Sequence, residues 1–429
     1  MIYIIADDLT GANDTGVQFA KNGYKTKVSI LGNELTNMKF EDNYDVLVID
    51  SETREDEEKI ARSRLNKILK SINVSEKDII YKKIDSTLRG NAGAEIEEVM
   101  NIFNKQFCII SPSFPSHQRV TIGGNLFVQN KPLGLSRYSN NSKKKEEESF
   151  IPSILEQQTK LSIGRIDLSA VNKGQYEIKK ALNDLIEQKK NIIVIDSSDE
   201  KNLRDIVSGG IGFSEKVLFS GSAGLANCLA ESYKKKKDLK YDIRNNKNPI
   251  LIVGGSRNPV MVDQIEYLKN KLEFAELKIN IKEIYSQESK ILDYYVEESL
   301  KILKNNQDLA IYTDAINNEK KSIDNELMQE YKLTYKELEN KIKEFFGLLT
   351  STIIKKNTIR NMILTGGDIA ISVCRELGIS NLEVLGELLP GIPLTRAYFH
   401  EETLNIITKA GGFGRKKTLY ELINKFRNY

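Results

Sequence analysis

The chain of 429 residues has no tryptophan, two histidines, three cysteines and almost no surplus of charge of either sign. Each shortage closes a class of function. Cys108, Cys228 and Cys374 lie far apart in apolar surroundings and form no CxxC, so they read as small buried hydrophobes in a reducing compartment. His117 and His400 belong to no HExxH or Cys/His cluster, so no protein-built metal site is expected. Basic residues number 63 and acidic ones 60, a net charge of +3, without the basic stripe of a nucleic-acid binder; the run Lys234–Lys237 reads as solvated surface. No stretch approaches the roughly 20 apolar residues that cross a bilayer. The N-terminus, Met1 to Asp8, has no basic region ahead of its apolar run, unlike a signal peptide, so a cytoplasmic protein is expected. The dipeptide Gly-Lys never occurs, which rules out a Walker loop, and no GxGxxG fingerprint is present.

What is there is an alternation. Short runs rich in Ile and Val occur at Ile2–Ala6, Val46–Ile49, Ile79–Ile84, Phe107–Ile110, Ile192–Ile195, Ile250–Val253, Met362–Leu364 and Leu404–Ile407. Helical patterns follow at Asp14–Asn22, Glu55–Ile72, Ala94–Phe103, Pro259–Leu272, Ile369–Leu377 and Thr418–Phe426. Strand followed by helix, repeated, predicts an α/β protein with mostly parallel sheets flanked by helices. The length suits about two or three domains. The polar, charged stretch Glu231–Asn248 reads as the boundary, giving domains 1–235 and 249–429 with a linker at 236–248. A second polar stretch, Ser139–Glu148, reads as an exposed loop or flap of the first domain.

Charged residues gather where the first-domain strands end. Asp7 and Asp8 follow the first strand, and ligands of open α/β sheets bind beyond the carboxyl ends of strands. One aspartate can cap the next helix, but a cap does not account for three within eight positions, Asp14 included. The others can take a proton from a hydroxyl or hold magnesium. A haloacid-dehalogenase-type phosphatase would place its aspartates as Asp-x-Asp, not side by side. Asp50 and Arg54 follow the next strand, where structural pairing and ligand binding are equally open. Lys83, Asp85 and Arg89 follow the third; Arg89 can grip a carboxylate through two parallel hydrogen bonds, or pair internally with Asp85. Ser111 to Gly124 reads as a rigid, proline-restricted loop from which Arg119 could point into a cleft. Gly221–Gly224 lacks hydrolase spacing and reads as a tight turn into a helix.

The second half carries another theme. Gly254-Gly255-Ser256, Gly366-Gly367-Asp368 and Gly411-Gly412 all follow strand ends. Glycine lets a phosphate approach the backbone, and a helix N-terminus offers free N–H donors. Three such loops in one domain favour a nucleotide phosphate site.

Taken together the chain resembles the four-carbon acid sugar kinase family, which phosphorylates threonate, erythronate or 3-oxo-tetronate with ATP. The likeness runs nearly end to end and is carried by Asp7–Ala12, Asp50–Arg54, Lys83–Asn91, Gly221–Ala226, Gly366–Asp368 and Lys409–Gly414. It implies a first domain for the sugar acid and a second for the nucleotide, with Ser256, Gly366, Gly367, Asp368 and Gly412 at positions that contact ATP. Two departures, Ser139–Glu148 and Asn125-Leu126-Phe127 where relatives tend to carry His-Tyr, fall on the substrate side and leave the identity of the acid open. The expectation is therefore an ATP- and Mg2+-dependent kinase, free of membrane and nucleic acid, with homo-oligomers left open. Arg89 and Lys83 hold the substrate carboxylate, Asp7, Asp50 and Arg54 line the same site, and Asp8 or Asp85 deprotonates the terminal hydroxyl. The alternatives are a sugar-acid sensor without catalysis and an aspartate-dependent phosphatase.

Overall fold

A computed structural model describes residues 1–30, 43–136, 149–213, 215–233, 247–255, 258–286, 288–313, 318–357 and 359–428. Ser256, the stretch Ser139–Glu148 and most of the expected linker lie outside the described residues. The chain divides into two compact units, Met1–Leu239 and Lys240–Tyr429.

In the first unit the strands are β1 (Ile2–Ala6), β2 (Thr26–Ile30), β3 (Val46–Asp50), β4 (Ile79–Lys83), β5 (Phe107–Ser111), β6 (Arg119–Ile122), β7 (Asn125–Val128), β8 (Lys131–Pro132), β9 (Ile163–Ile166), β10 (Ile192–Ile195) and β11 (Val217–Gly221). Eight of them stand in the order β2-β3-β1-β4-β11-β5-β10-β9, and every neighbouring pair is parallel. All residues of β1, β3, β5, β10 and β11 are buried, as strands covered on both faces require. The order decides where a ligand can enter. From β1 the chain moves out to β2 and β3 on one side, then crosses to β4 on the other. The strand ends at that reversal part to leave a crevice, and the charged motifs sit there. The remaining strands, β6, β7 and β8, form a small antiparallel sheet.

Local signals fix the helix starts. The first helix runs Leu9–Ala20, earlier than its apolar periodicity suggests, because Asp8 caps it by accepting from Gly11 N at 2.8 Å. Ser222 caps Ala223–Ser232 in the same way, which makes Gly221–Gly224 the tight turn expected of it. A core cluster including Ile5, Ile49, Leu65, Ile96 and Ile110 packs between sheet and helices. Each such side chain contributes about 1.5–3 kcal/mol by leaving water.

The second unit holds β12 (Ile250–Gly254), β13 (Ala275–Ile279), β14 (Leu309–Thr313), β15 (Asn361–Thr365), β16 (Asn381–Leu389), β17 (Ile392–Phe399) and β18 (Glu402–Lys409) in the order β13-β14-β12-β15-β18-β17-β16. The first five in that order are parallel, and β17 and β16 continue the sheet antiparallel. Its own core includes Ile252, Ile265, Ile363, Leu394 and Leu422. The described residues contain no helix long and apolar enough to cross a membrane.

Candidate active site

Arg54 organises the crevice of the first unit. It follows β3, yet its guanidinium reaches the residues after β1. Nε and Nη2 donate to Asp7 Oδ2 and Oδ1 at 2.9 and 2.7 Å, a two-pronged pair, while Nη1 donates to Asp8. The same Nη1 lies 3.6 Å from Asp85 Oδ2, so one cation faces three carboxylates from two other strand ends. Asp85 is held from every side. Its Oδ1 accepts from Thr87 N at 2.7 Å and Thr87 Oγ1 at 2.5 Å, and its Oδ2 from Arg89 Nε at 3.1 Å and Nη2 at 2.5 Å. Arg89 therefore pairs internally with Asp85, while 47% of its side chain remains exposed.

Lys83 completes the group. A Cβ on Gly11 would stand 2.6 Å from Asp8 Oδ1 and 2.9 Å from Lys83 Nζ, so only glycine lets the helix start approach this closely. The Lys83 ammonium, which donates to Ile84 O at 2.9 Å, thus lies beside the Asp8 carboxylate. The loops carrying Arg54 and Arg89 each hold a non-glycine residue in the left-handed region, Glu52 (φ 51) and Leu88 (φ 57). Such positions cost of order 1–3 kcal/mol and cluster at functional sites.

The carboxyls are driven apart in acidity. Burial alone would raise Asp85, but Arg54, Arg89 and the Thr87 hydrogen bond hold it far below the usual carboxylate range. Asp7 is lowered against its burial by Arg54, with Lys82 and Lys83 behind. Asp8, a quarter exposed, goes the other way: burial raises it and the Asp7 charge adds to that, outweighing Arg54. Asp50 is fully buried and pushed well up by burial and by the charges of Glu52 and Asp8; its Oδ1 accepts from Glu52 N at 3.0 Å and its Oδ2 has no partner among the described residues.

One element of this site went unread in the sequence. Lys82 and Glu95 form a fully buried pair at 2.6 Å beneath the strand ends. A charge at the end of an apolar strand, opposite an acid one turn into a helix, is the signal that could have found it. Arg119 donates to Ser86, which ties the β5–β6 loop to the loop that carries Asp85 and Arg89.

In the second unit the three glycine-rich loops follow β12, β15 and β18, which adjoin in the sheet in that order. Gly366 adopts φ 103 and opens the helix Gly367–Glu376, which has no side-chain cap, so its first N–H groups are left for a ligand. Gly366 N donates to Lys409 O at 2.8 Å, joining the second loop to the third. Gly411 and Gly412 follow, and a Cβ on Gly412 would stand 2.7 Å from Asn258 Nδ2, the residue that caps the helix Pro259–Lys269 after the first loop. Asp368, in the first turn of its helix, is mostly exposed, with Lys343 at 3.4 Å. An uncapped helix start between glycine loops suits a polyphosphate, and one exposed carboxylate beside it suits a cation carried in with that polyphosphate. No cluster of three or more metal-ligating side chains occurs among the described residues.

Comparison with known proteins gives two family models and a set of full-length relatives. Residues 2–229 match the family model of a sugar-binding N-terminal domain, and residues 251–419 that of a nucleotide-binding C-terminal domain. The chain is 29% identical over 427 residues to a D-threonate kinase of Salmonella typhimurium, covering 98% of this chain and 97% of the relative. It is 26% identical over 429 residues to a D-erythronate kinase of Heliobacterium modesticaldum, covering 96% and 94%. The crystal structure of a Salmonella typhimurium protein, 22% identical, superposes with a TM-score of 0.81 over 99% of this chain and 98% of that one.

Proposed function

This chain belongs to the four-carbon acid sugar kinase family, and we propose that it transfers the terminal phosphoryl group of ATP to the terminal hydroxyl of a four-carbon sugar acid such as threonate or erythronate. The observation that carries the reading is the convergence of Asp7, Asp8, Arg54, Lys83, Asp85 and Arg89 at three adjoining parallel strand ends. Residues 1–235 take the acid and 249–429 the nucleotide, joined through 236–248. The reaction belongs to the cytoplasm.

Phosphoryl transfer asks for an oriented hydroxyl, a place for its proton and neutralised phosphate charge. Asp8 suits the proton better than Asp85. Asp85 is locked by two arginines and too acidic to accept readily, whereas Asp8 is raised and a quarter open to solvent. Asp85 instead aims Arg89, whose exposed half meets the substrate carboxylate together with Lys83. Asp7 fixes Arg54, and Asp50, buried at the end of β3, lines the same site. On the nucleotide side, Gly366, Gly367, Gly411, Gly412 and Ser256 line the phosphates. Mg2+ would be held by the triphosphate with Asp368, and when bound it offsets phosphate charge. A phosphatase nucleophile fits less well, since Asp7 is gripped by two nitrogens of Arg54.

The test is ATP consumption by the purified chain with Mg2+ against D- and L-threonate, D- and L-erythronate and 3-oxo-tetronate. Acid-dependent ADP formation with one of them is expected. ATP turnover indifferent to every acid, or phosphate release from the phosphorylated acids without nucleotide, would overturn the assignment.

A further inference from the structure

Lys409 ends β18 and is 2% exposed, one of the largest fully buried side chains of the described residues. Its ammonium donates to Ala410 O at 3.0 Å and Phe413 O at 3.2 Å. No carboxylate among the described residues pairs with it. An ammonium has three donors, and two carbonyl dipoles solvate it only in part. A buried charge left this way is costly unless a counterion arrives. The surroundings indicate which counterion. Lys409 O accepts from Gly366 N, the residue that opens the uncapped helix Gly367–Glu376. Gln264, from the helix Pro259–Lys269, donates to Phe413 O and Arg415 O, both at 3.0 Å, and clamps the same loop. The ammonium therefore rests on carbonyls of the loop after β18, and that loop is tied through its backbone to Gly366 of the loop after β15 and through Gln264 to the helix that follows the first loop.

We propose that Lys409 is a nucleotide-binding residue whose buried ammonium supplies the countercharge for the polyphosphate at the loops after β15 and β18. This rests on the nucleotide reading of the second unit and adds to it a residue that the glycine motifs do not name. Without nucleotide, burial lowers the ammonium to about 8. Among the described residues the groups facing it do not titrate: the Ala410 and Phe413 carbonyls on its own loop, the Gln264 amide beside that loop and Thr365 next to it on β15. A polyphosphate favours the charged form, so the value rises on binding. At pH values between the free and bound positions, ATP must then bring a proton into the protein. The phosphates of ATP do not confuse this, since the last ionisation of a phosphate ester lies near 6 and bound Mg2+ favours the ionised form over the whole range.

The experiment is calorimetric titration of the full chain with ATP and Mg2+ in buffers of different ionisation enthalpy, from pH 7 to 9.5. Wild type is expected to take up about half a proton at pH 8 and more above it, with Kd rising toward tenfold per pH unit. Lys409→Met is expected to weaken binding about tenfold or more at pH 7, the scale of a hydrogen bond to charge, and to abolish the uptake. Lys409→Arg keeps the charge and is expected to bind without the alkaline loss. The proton count on wild type needs no variant to fold. ATP binding with no proton uptake, or a folded Lys409→Met with unchanged Kd and pH profile, overturns the role of Lys409 alone. Wild type that binds no ATP at all overturns the nucleotide reading as well.

Discussion

Replacing Arg54 with methionine puts the site's electrostatics to a direct test. The guanidinium is 10% exposed and neutralises Asp7 through two hydrogen bonds, with Asp8 and Asp85 on its other edge. Methionine keeps the length and removes the charge, leaving Asp7 buried without its principal partner. Removing one side of a buried pair costs about 3–5 kcal/mol. For a unit of this size each kcal/mol is worth about 2–4 °C, so a fall of roughly 6–20 °C in the melting of the first unit is expected at pH 7. The sign of the pH dependence follows from the carboxyls. In the wild type Asp7 and Asp85 are depressed, so their stabilisation is present above the unfolded value of about 4 and is lost only as pH falls through their lower folded values. In Arg54→Met burial dominates and Asp7 rises above that value, so the variant regains stability as pH falls and the proton supplies the missing charge. Differential scanning calorimetry at pH 7 and pH 5 reads the gap, which should narrow on acidification. Adding Asp7→Asn to Arg54→Met should recover about 0.5–3 kcal/mol, the range of direct pairwise coupling. A variant melting within a degree or two of wild type at pH 7, or a gap of equal size at both pH values with no recovery in the double variant, would refute the reasoning.

Asp8→Asn should lower kcat about a hundredfold or more with a smaller change in KM. The acid limb of the wild-type pH–rate profile should lie above the ordinary aspartate range, because Asp8 is raised, and should vanish in that variant; turnover near wild type in Asp8→Asn removes Asp8 as the base. Gly367→Val, at the open helix start, should weaken ATP binding strongly in calorimetry while binding of the sugar acid stays near wild type; an unchanged ATP affinity in a folded variant refutes the placement. The tetritols that match threonate and erythronate should show kcat/KM lower by about thirtyfold or more, since leaving one member of a charge-assisted pair without its partner costs about 2–5 kcal/mol. Arg89→Lys should also impair the acids by losing the fork; tetritols that react as well as the acids leave Arg89 with the Asp85 pair as its whole role.

Where the sequence was legible, and where it was not, follows from what a one-dimensional pattern can carry. Strands such as Ile2–Ala6 and Ile192–Ile195 are buried on both faces, so their apolar runs are unbroken and their bounds plain. Ile163–Ile166 and Ala275–Ile279 stand at sheet edges, half exposed, and their mixed composition hides them. The antiparallel extension β16–β17 was not foreseen because nothing local distinguishes a strand added antiparallel from one reached by a crossover. The acidic and basic residues of the crevice were visible because they follow strands directly. Their pairing was not, since Arg54 and Asp7 are 47 positions apart and meet only because β1 and β3 are neighbours in register. That pairing changes the chemistry. Read singly, Asp8 and Asp85 are equal candidates for the base; placed around Arg54 and Arg89, one is raised and the other locked. Lys409 makes the same case from the opposite side. In sequence it opens the segment Lys409–Gly414, but nothing after it is charged until Arg415 and nothing there marks it as a buried cation. Only the sheet, which buries the end of β18 against the loop of β15, turns it into a cation without a counterion, and a countercharge brought by a ligand is the arrangement that would relieve it.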